Sequence, residues 1–139
     1  MNTFSWPVRI YYEDTDSGGV VYYANYLKFM ERARSEWLRS LGFEQDELIE
    51  KEAVLFAVRT VQADYLAPAR FNDLLDVTAR IKKQNKVSLS FEQRITRSSD
   101  DKLLCKGEIK IVCLDTETMS PTRIPEKIMT KIKGMDSEG

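Results

Sequence analysis

The chain has 139 residues, of which 42% are hydrophobic and 31% charged, which is typical of one soluble domain rather than a disordered or low-complexity chain. Its 21 lysines and arginines against 22 acidic residues give a net charge of -1, so there is no basic surplus to bind nucleic acid or an anionic membrane. The chain contains no histidine, which excludes a Ser-His-Asp triad, a Cys-His pair and an imidazole metal site.

The cysteines and the N-terminus predict where the protein resides. Cys105 and Cys113 have no Cys-x-x-Cys spacing, which favours two buried thiols in a reducing compartment. We see no signal peptide, and no apolar run approaches the ~20 residues of a membrane span. We therefore expect a cytoplasmic protein without a metal or cofactor, with one domain over residues 1–133 and a disordered tail over residues 134–139.

The first half of the chain predicts a strand, a loop and a long helix. Residues 6–13 alternate apolar and polar side chains, which predicts a strand. The breaker-rich residues 14–19 predict a turn or loop. From Tyr22 to Leu41 apolar residues recur every three or four positions, which predicts an amphipathic helix ended by Gly42.

The second half alternates with the period of a strand. The alternation in residues 54–66 slips once, between Val58 and Val61, which predicts a β-bulge. Short polar turns separate three further strands, at residues 75–82, 87–95 and 103–113. A short helix follows at residues 125–133. This order predicts an α+β fold in which one antiparallel sheet covers one long helix.

The chemistry-bearing segment is residues 13–26, where two carboxylates and a glycine pair precede the helix. Free N–H groups at a helix start can donate to a carbonyl oxygen, and glycine lets the backbone approach a ligand closely. A carboxylate there could act as a base or a nucleophile, which suits attack on an acyl group. In the alternative interpretation, Asp14 or Asp16 only caps the loop and stabilises the positive end of the helix.

The motif that carries a family resemblance runs through the same segment. Asp14-Thr15-Asp16, then Gly18 to Tyr23, Asn25-Tyr26 and Glu31 to Arg34, resembles the signature of hotdog-fold acyl-CoA thioesterases of the 4-hydroxybenzoyl-CoA thioesterase family. The similarity is closest to the tol-pal system-associated branch, with further matches at residues 65–70, 88–94 and 112–115. It implies a hotdog fold, with a curved antiparallel sheet wrapped around one long central helix. It also implies a homodimer joined through the sheets, or a homotetramer, with active sites between protomers.

The resemblance also implies roles for individual residues. Asp16 would be the catalytic carboxylate, as nucleophile or general base, and the backbone N–H of Tyr23 would polarise the thioester oxygen. The loop positions that match the motif and would order the loop or contact substrate are Gly18, Gly19, Val20 and Asn25. Four further candidate substrate-binding residues lie where family members hold the nucleotide end of coenzyme A: Lys82, Lys83 and Lys86 around a turn, and Ser88 on the strand that follows. Among the other cations near a loop, Arg70 is a weaker candidate for a phosphate contact than these lysines. The alternative for the lysines is a solvated hairpin turn.

One departure from the pattern is Tyr23, because many members of the closer branch have histidine at this position. A main-chain donor survives that change, since the N–H does not depend on the side chain. The sequence thus predicts hydrolysis of an acyl-CoA to a carboxylic acid and free CoA. The alternatives are a thioesterase acting on acyl carrier protein and a non-catalytic module that binds acyl groups or acyl carrier protein. A hotdog hydratase is disfavoured, since the family resemblance gives those enzymes a histidine that this chain lacks.

Overall fold

A computed structural model describes the backbone of residues 3–138 and the side chains of residues 3–134. The elements are β1 (Phe4–Arg9), a 3₁₀ turn (Tyr12–Asp14), α1 (Ala24–Ser40), α2 (Gln45–Glu47) continued by a π-helical turn (Leu48–Glu52), β2 (Val54–Tyr65), β3 (Leu74–Gln84), β4 (Ser88–Arg97), β5 (Lys102–Asp115) and α3 (Glu126–Glu138).

The five strands form one antiparallel sheet in the order β1-β3-β4-β5-β2. Strands β3, β4 and β5 follow one another through short turns, because each joint is a polar segment between alternating runs. The two strands that flank α1 in the sequence, β1 and β2, occupy opposite edges of the sheet. The long helix therefore crosses the sheet, and the predicted α+β layer arrangement is confirmed.

The apolar stripe of α1 packs against the inner face of this sheet. Phe29, Met30 and Ala33 are at most 1% exposed, and the rings of Trp37 and Phe91 meet edge to face at 5.1 Å. The stripe arises because residues three and four apart share one face of a helix. Burial of these side chains fixes the position of the helix N-terminus relative to the strand ends.

Strand β2 combines a bulge with an edge that has no partner strand among residues 3–138. The register shifts between Val58 and Thr60, which confirms the predicted bulge. One side of β2 pairs with β5 along its whole length, and Val58, Val61 and Tyr65 remain exposed. Long edges of this kind are templates for pairing with another chain.

Two element boundaries differ from the predictions. The first strand ends at Arg9 rather than at residue 13, because the carboxylate of Asp14 accepts a hydrogen bond from the N–H of Tyr11 (2.8 Å) and closes a 3₁₀ turn. The last helix continues past residue 133 to Glu138, since Gly134 has no positive φ with which to end it. Gly139, the last residue of the predicted tail, lies outside the described residues. No helix in the described part of the chain is long and apolar enough to cross a membrane.

Candidate active site

The loop between β1 and α1 folds into a miniature antiparallel ladder. The N–H of Asp16 donates to the carbonyl of Val20 (2.9 Å), and the N–H of Tyr22 donates to the carbonyl of Asp14 (3.1 Å). Between these two hydrogen bonds, Thr15 lies opposite Val21. A turn closed by the N–H of Gly19 on the carbonyl of Asp16 (3.0 Å) reverses the chain. This segment was predicted only as a turn or loop, and its pairing gives Asp16 a defined place.

Residues 69 and 70 add a third strand to this ladder. The N–H of Val21 donates to the carbonyl of Ala69 (2.9 Å), and Val20 lies opposite Arg70. The hydroxyl of Tyr26, in the first turn of α1, accepts a hydrogen bond from the N–H of Ala69 (2.9 Å). The ladder is therefore fixed to the helix start through a buried side chain.

Asn25 connects the helix start to the other side of the loop. Its side-chain amide donates to the carbonyl of Asp14 at 2.9 Å. That same carbonyl accepts the N–H of Tyr22, so two donors hold one carbonyl oxygen. The side chain of Asn25 thus orders the loop, which is one of the roles that the resemblance implies for it.

Asp16 is exposed, and its carboxylate is oriented by the loop backbone. One oxygen, Oδ1, accepts a hydrogen bond from the N–H of Gly18 at 2.8 Å. The other oxygen, Oδ2, has no donor among the described residues and is available for chemistry. A Cβ at position 18 would lie 3.2 Å from Oδ1, and Gly19 has φ +79°, so both glycines suit this tight turn.

The start of α1 presents two unpaired N–H groups. Asn25 and Tyr26 donate their N–H groups to the carbonyls of Tyr22 and Tyr23, whereas the N–H groups of Tyr23 and Ala24 have no backbone acceptor in residues 3–138. Tyr23 occupies the N-cap position without a capping side chain. Such N–H groups, at the positive end of the helix dipole, can bind a carbonyl oxygen that is becoming negative.

An aromatic pocket of about 280 Å³ adjoins this helix start and is lined by Val21, Tyr23, Tyr26, Tyr65, Leu66 and Pro68. The rings of Tyr23 and Tyr65 meet edge to face at 5.7 Å. Burial raises the pKa of Tyr26 and of Tyr65, so both phenols stay protonated at neutral pH. The pocket is therefore an uncharged, mostly apolar surface beside the free N–H groups.

The predicted lysine cluster lies away from this loop in the folded chain. Strand β3 begins beside Arg9, which leads into the loop, and ends at Gln84, so the cluster is on the order of 25–30 Å along the strand from the loop. Lys82 forms an ion pair with Glu108, whereas Lys83 and Lys86 are exposed. Ser88 is 3% exposed and has little surface to offer a ligand.

The main feature that the sequence interpretation missed is the bond between Tyr26 and Ala69. Tyr26 was assigned to the core stripe, which is correct, but its hydroxyl is also the link between helix and ladder. The available signal was its residue type, since a buried tyrosine usually has a hydrogen-bond partner. The partner itself is 43 residues away in the sequence and could not be identified from spacing.

A model of the thioesterase-like superfamily matches residues 11–132, which is most of the chain. The chain belongs to the thioesterase-like superfamily. An acyl-CoA thioester hydrolase of Escherichia coli, YbgC, is 46% identical over 135 residues, covering 96% of this chain and 99% of that protein. The acyl-CoA thioesterase YbgC of Haemophilus influenzae is 44% identical over 127 residues, covering 91% and 92% of the two chains.

A solved structure extends the family relationship to the fold. The crystal structure of a probable thioesterase from Bartonella henselae superposes with a TM-score of 0.84 at 34% identity, covering 89% of this chain and 100% of that one. The predicted resemblance to hotdog thioesterases and the predicted hotdog fold are therefore confirmed. This family member is a thioester hydrolase, as its sequence predicted.

Proposed function

We propose that this protein is an acyl-CoA thioesterase in which Asp16 is the catalytic carboxylate and the N–H of Tyr23 donates to the thioester oxygen. The observation that carries the proposal is the geometry of one short ladder. It orients the Asp16 carboxylate through the N–H of Gly18, and its second strand runs directly into a helix start with free N–H groups. The names of the two YbgC relatives support acyl-CoA as the substrate.

Each part has a defined task during hydrolysis. As the thioester carbonyl is attacked, negative charge develops on its oxygen, and the N–H of Tyr23 stabilises that charge. The tetrahedral intermediate then collapses, the carbon–sulfur bond breaks, and the thiolate of CoA leaves. The chemistry requires no imidazole, because the carboxylate of Asp16 carries the nucleophile or base role and the oxyanion donor is main-chain.

Two routes use Asp16 differently. As a general base, Oδ2 accepts a proton from water while the resulting hydroxide attacks the thioester carbon. As a nucleophile, Oδ2 attacks the carbon itself and forms a mixed anhydride, which water then hydrolyses. A single turnover in H₂¹⁸O with excess enzyme tests for the anhydride, because ¹⁸O in the Asp16 carboxylate requires it. Label confined to the product acid is the result of direct attack by water or of water attack at the acyl carbon of the anhydride, and trapping of the acyl-enzyme then distinguishes the two.

The same proposal includes a homodimer, paired further into a homotetramer, with each site shared between subunits. Two β2 edges joined antiparallel would form a continuous sheet and bury Val58 and Val61. The two-fold axis of such a pair brings the partner's β3–β4 turn to the Asp16 end of this protomer. The exposed Lys83 and Lys86 of that turn are then in reach of the nucleotide end of CoA.

A cytoplasmic location is also part of the proposal. Both cysteines are free and buried, as expected in a reducing compartment. The alternative substrate is an acyl carrier protein thioester, because acyl-CoA and acyl carrier protein carry the acyl group on the same phosphopantetheine arm.

The decisive experiment measures thiol release from short, long and benzoyl acyl-CoAs by the wild type and Asp16→Asn. We expect turnover of at least one ester, lowered ~10²–10⁴-fold in the variant. Glu13→Gln is the matched control, since Glu13 is an exposed carboxylate of the same loop, and it should retain wild-type turnover. Equal turnover by Asp16→Asn and wild type would remove Asp16 from the mechanism. Hydrolysis of acyl carrier protein esters alone would replace the proposed substrate.

A further inference from the structure

The outer face of the catalytic ladder carries a cation in line with Asp16. Asp16 pairs with Val20, and Val20 pairs with Arg70, so the three residues lie side by side across three short strands. Opposed residues of antiparallel strands project to the same face. Burial agrees with this register, since Val21 and Ala69 are 4% and 0% exposed on the inner face, whereas Asp16 and Arg70 are exposed.

The backbone of Arg70 is fixed while its guanidinium is free. The N–H of Arg70 donates to Oδ2 of Asp73 (2.9 Å), and its carbonyl accepts the N–H of Asp73 (3.1 Å). No hydrogen bond or ion pair of the guanidinium is found within the described part of the chain. Other arginines are engaged by protein groups, such as Arg39 by Glu36 and Glu44, and Arg97 by Asp73 and Asp100.

We propose that Arg70 binds the phosphate that ends the pantetheine arm, which is the phosphate nearest to the thioester. This inference rests on the proposed function. Adjacent antiparallel strands place opposed Cα atoms about 4.5–5.5 Å apart, so Asp16 and Arg70 are roughly 10 Å apart at Cα. The pantetheine arm is about as long as five residues of extended chain, ~17 Å. An arginine side chain that extends away from Asp16 covers the remaining distance.

The chemistry of this phosphate suits arginine. The guanidinium is always charged and presents paired N–H donors that match phosphate oxygens. Coenzyme A and the prosthetic group of acyl carrier protein both carry a phosphate at this position, so one residue would serve either source. Lys83 and Lys86, if they act across the subunit interface, would serve the more distant adenosine end of CoA instead.

Truncated substrates test the assignment. Arg70→Gln should raise the KM for acyl-CoA and for acyl-4′-phosphopantetheine about 10- to 100-fold, with kcat nearly unchanged, because a charge-assisted contact made equally in ground and transition states is lost. The KM for acyl-pantetheine, which has no phosphate, should not change. Arg70→Lys should recover part of the loss. Arg39→Gln makes the same charge change at the far end of α1 and should leave the KM for all three substrates unchanged.

Two outcomes would overturn the inference: an equal loss on acyl-pantetheine, or an unchanged KM for both phosphorylated substrates. Acyl carrier protein esters should show the same loss as acyl-4′-phosphopantetheine if the carrier is a substrate. The Lys83→Gln/Lys86→Gln variant should raise the KM for acyl-CoA but not the KM for acyl-4′-phosphopantetheine. This difference separates the two cation sites. Failure of the wild type to hydrolyse any thioester would instead reject the proposed function, and this result precedes any comparison of variants.

Discussion

The phenol of Tyr26 accepts a hydrogen bond from the backbone N–H of Ala69 at 2.9 Å, although the residues are 43 positions apart. This bond joins the first turn of α1 to the third strand of the ladder that contains Asp16. Both residues are buried, at 3% and 0% exposure, so water cannot replace either partner.

Replacing Tyr26 by phenylalanine should therefore leave the N–H of Ala69 unpaired in the core. We expect a loss of ~1–3 kcal/mol in the free energy of unfolding and a lower kcat, since the third strand of the ladder would lose its hydrogen bond to the helix. Urea denaturation and thiol-release assays measure the two effects. Tyr12→Phe is the control, because the ring of Tyr12 is 80% exposed, and both values should stay at wild type. Full stability of Tyr26→Phe would show that the bond contributes nothing.

The turn at Gly19 and the helix at Gly134 should respond oppositely to alanine. Gly19 has φ +79° and open space around its Cβ position, so Gly19→Ala is strained only through its backbone, and we expect a loss of roughly 1–2 kcal/mol with reduced turnover. Gly134 has open space and no positive φ, so Gly134→Ala should stabilise α3 by about 0.5–1 kcal/mol. Thermal unfolding of both variants checks the signs, and a shift in the same direction for both would contradict this account.

A buried polar network joins α1 to the sheet at Gln93, which is 0% exposed. Its side-chain carbonyl accepts from Arg34 (2.9 Å), and its amide donates to the carbonyls of Met30 (3.0 Å) and Thr78 (3.1 Å). Burial lowers the pKa of Arg34, which shows how unfavourable its surroundings are for charge. Gln93→Met should cost ~2–4 kcal/mol, because it leaves the Arg34 guanidinium without that acceptor.

A double substitution tests this cause. Arg34→Met/Gln93→Met removes both partners, so the pair should be less destabilised than the sum of the single variants. Chemical denaturation of the four proteins completes the cycle. Additive losses would mean that the two residues do not interact energetically.

The buried thiols should resist alkylation in the folded protein. Burial raises the pKa of Cys105 and of Cys113 to about 11, so both remain neutral thiols at pH 8. In the unfolded chain the thiols ionise near their ordinary pKa of ~8.5. The contribution of these two groups to the free energy of unfolding is therefore fully present below that pH and is lost as the pH rises toward 11. Iodoacetamide labelling at pH 8 should follow the unfolding rate. Rapid labelling under native conditions would contradict the burial of both thiols.

Periodicity predicted the parts of the fold that depend on local pattern. The stripe from Tyr26 to Trp37 identified α1, and the slip near Val58 identified the bulge. Pattern could not reveal that Tyr11 to Asp14 leave the strand, because one side-chain bond from the Asp14 carboxylate closes that turn. The approach of Ala69 to Val21 is likewise a tertiary contact between distant segments.

The candidate site was predictable to the extent that its residues are contiguous. Asp16, Gly18 and Tyr23 lie within one motif, so the resemblance brought them together before their geometry was known. Arg70 and Tyr65 reach the same end of the molecule only through the sheet register, which no local spacing encodes. The opposite holds for Lys83, which the family resemblance associates with substrate but which lies at the far end of β3.

That separation has a genetic consequence. If one active site needs Asp16 and Lys83 from different ends of the sheet, it must draw them from two chains, and two differently damaged chains can then repair each other. A mixed dimer of Asp16→Asn with Lys83→Gln/Lys86→Gln would contain one site with both defects and one site with neither. With acyl-CoA as substrate, the lysine variant is impaired in binding and the Asp16 variant in catalysis. The two alleles expressed together would thus yield unimpaired sites, at half the sites of every mixed dimer.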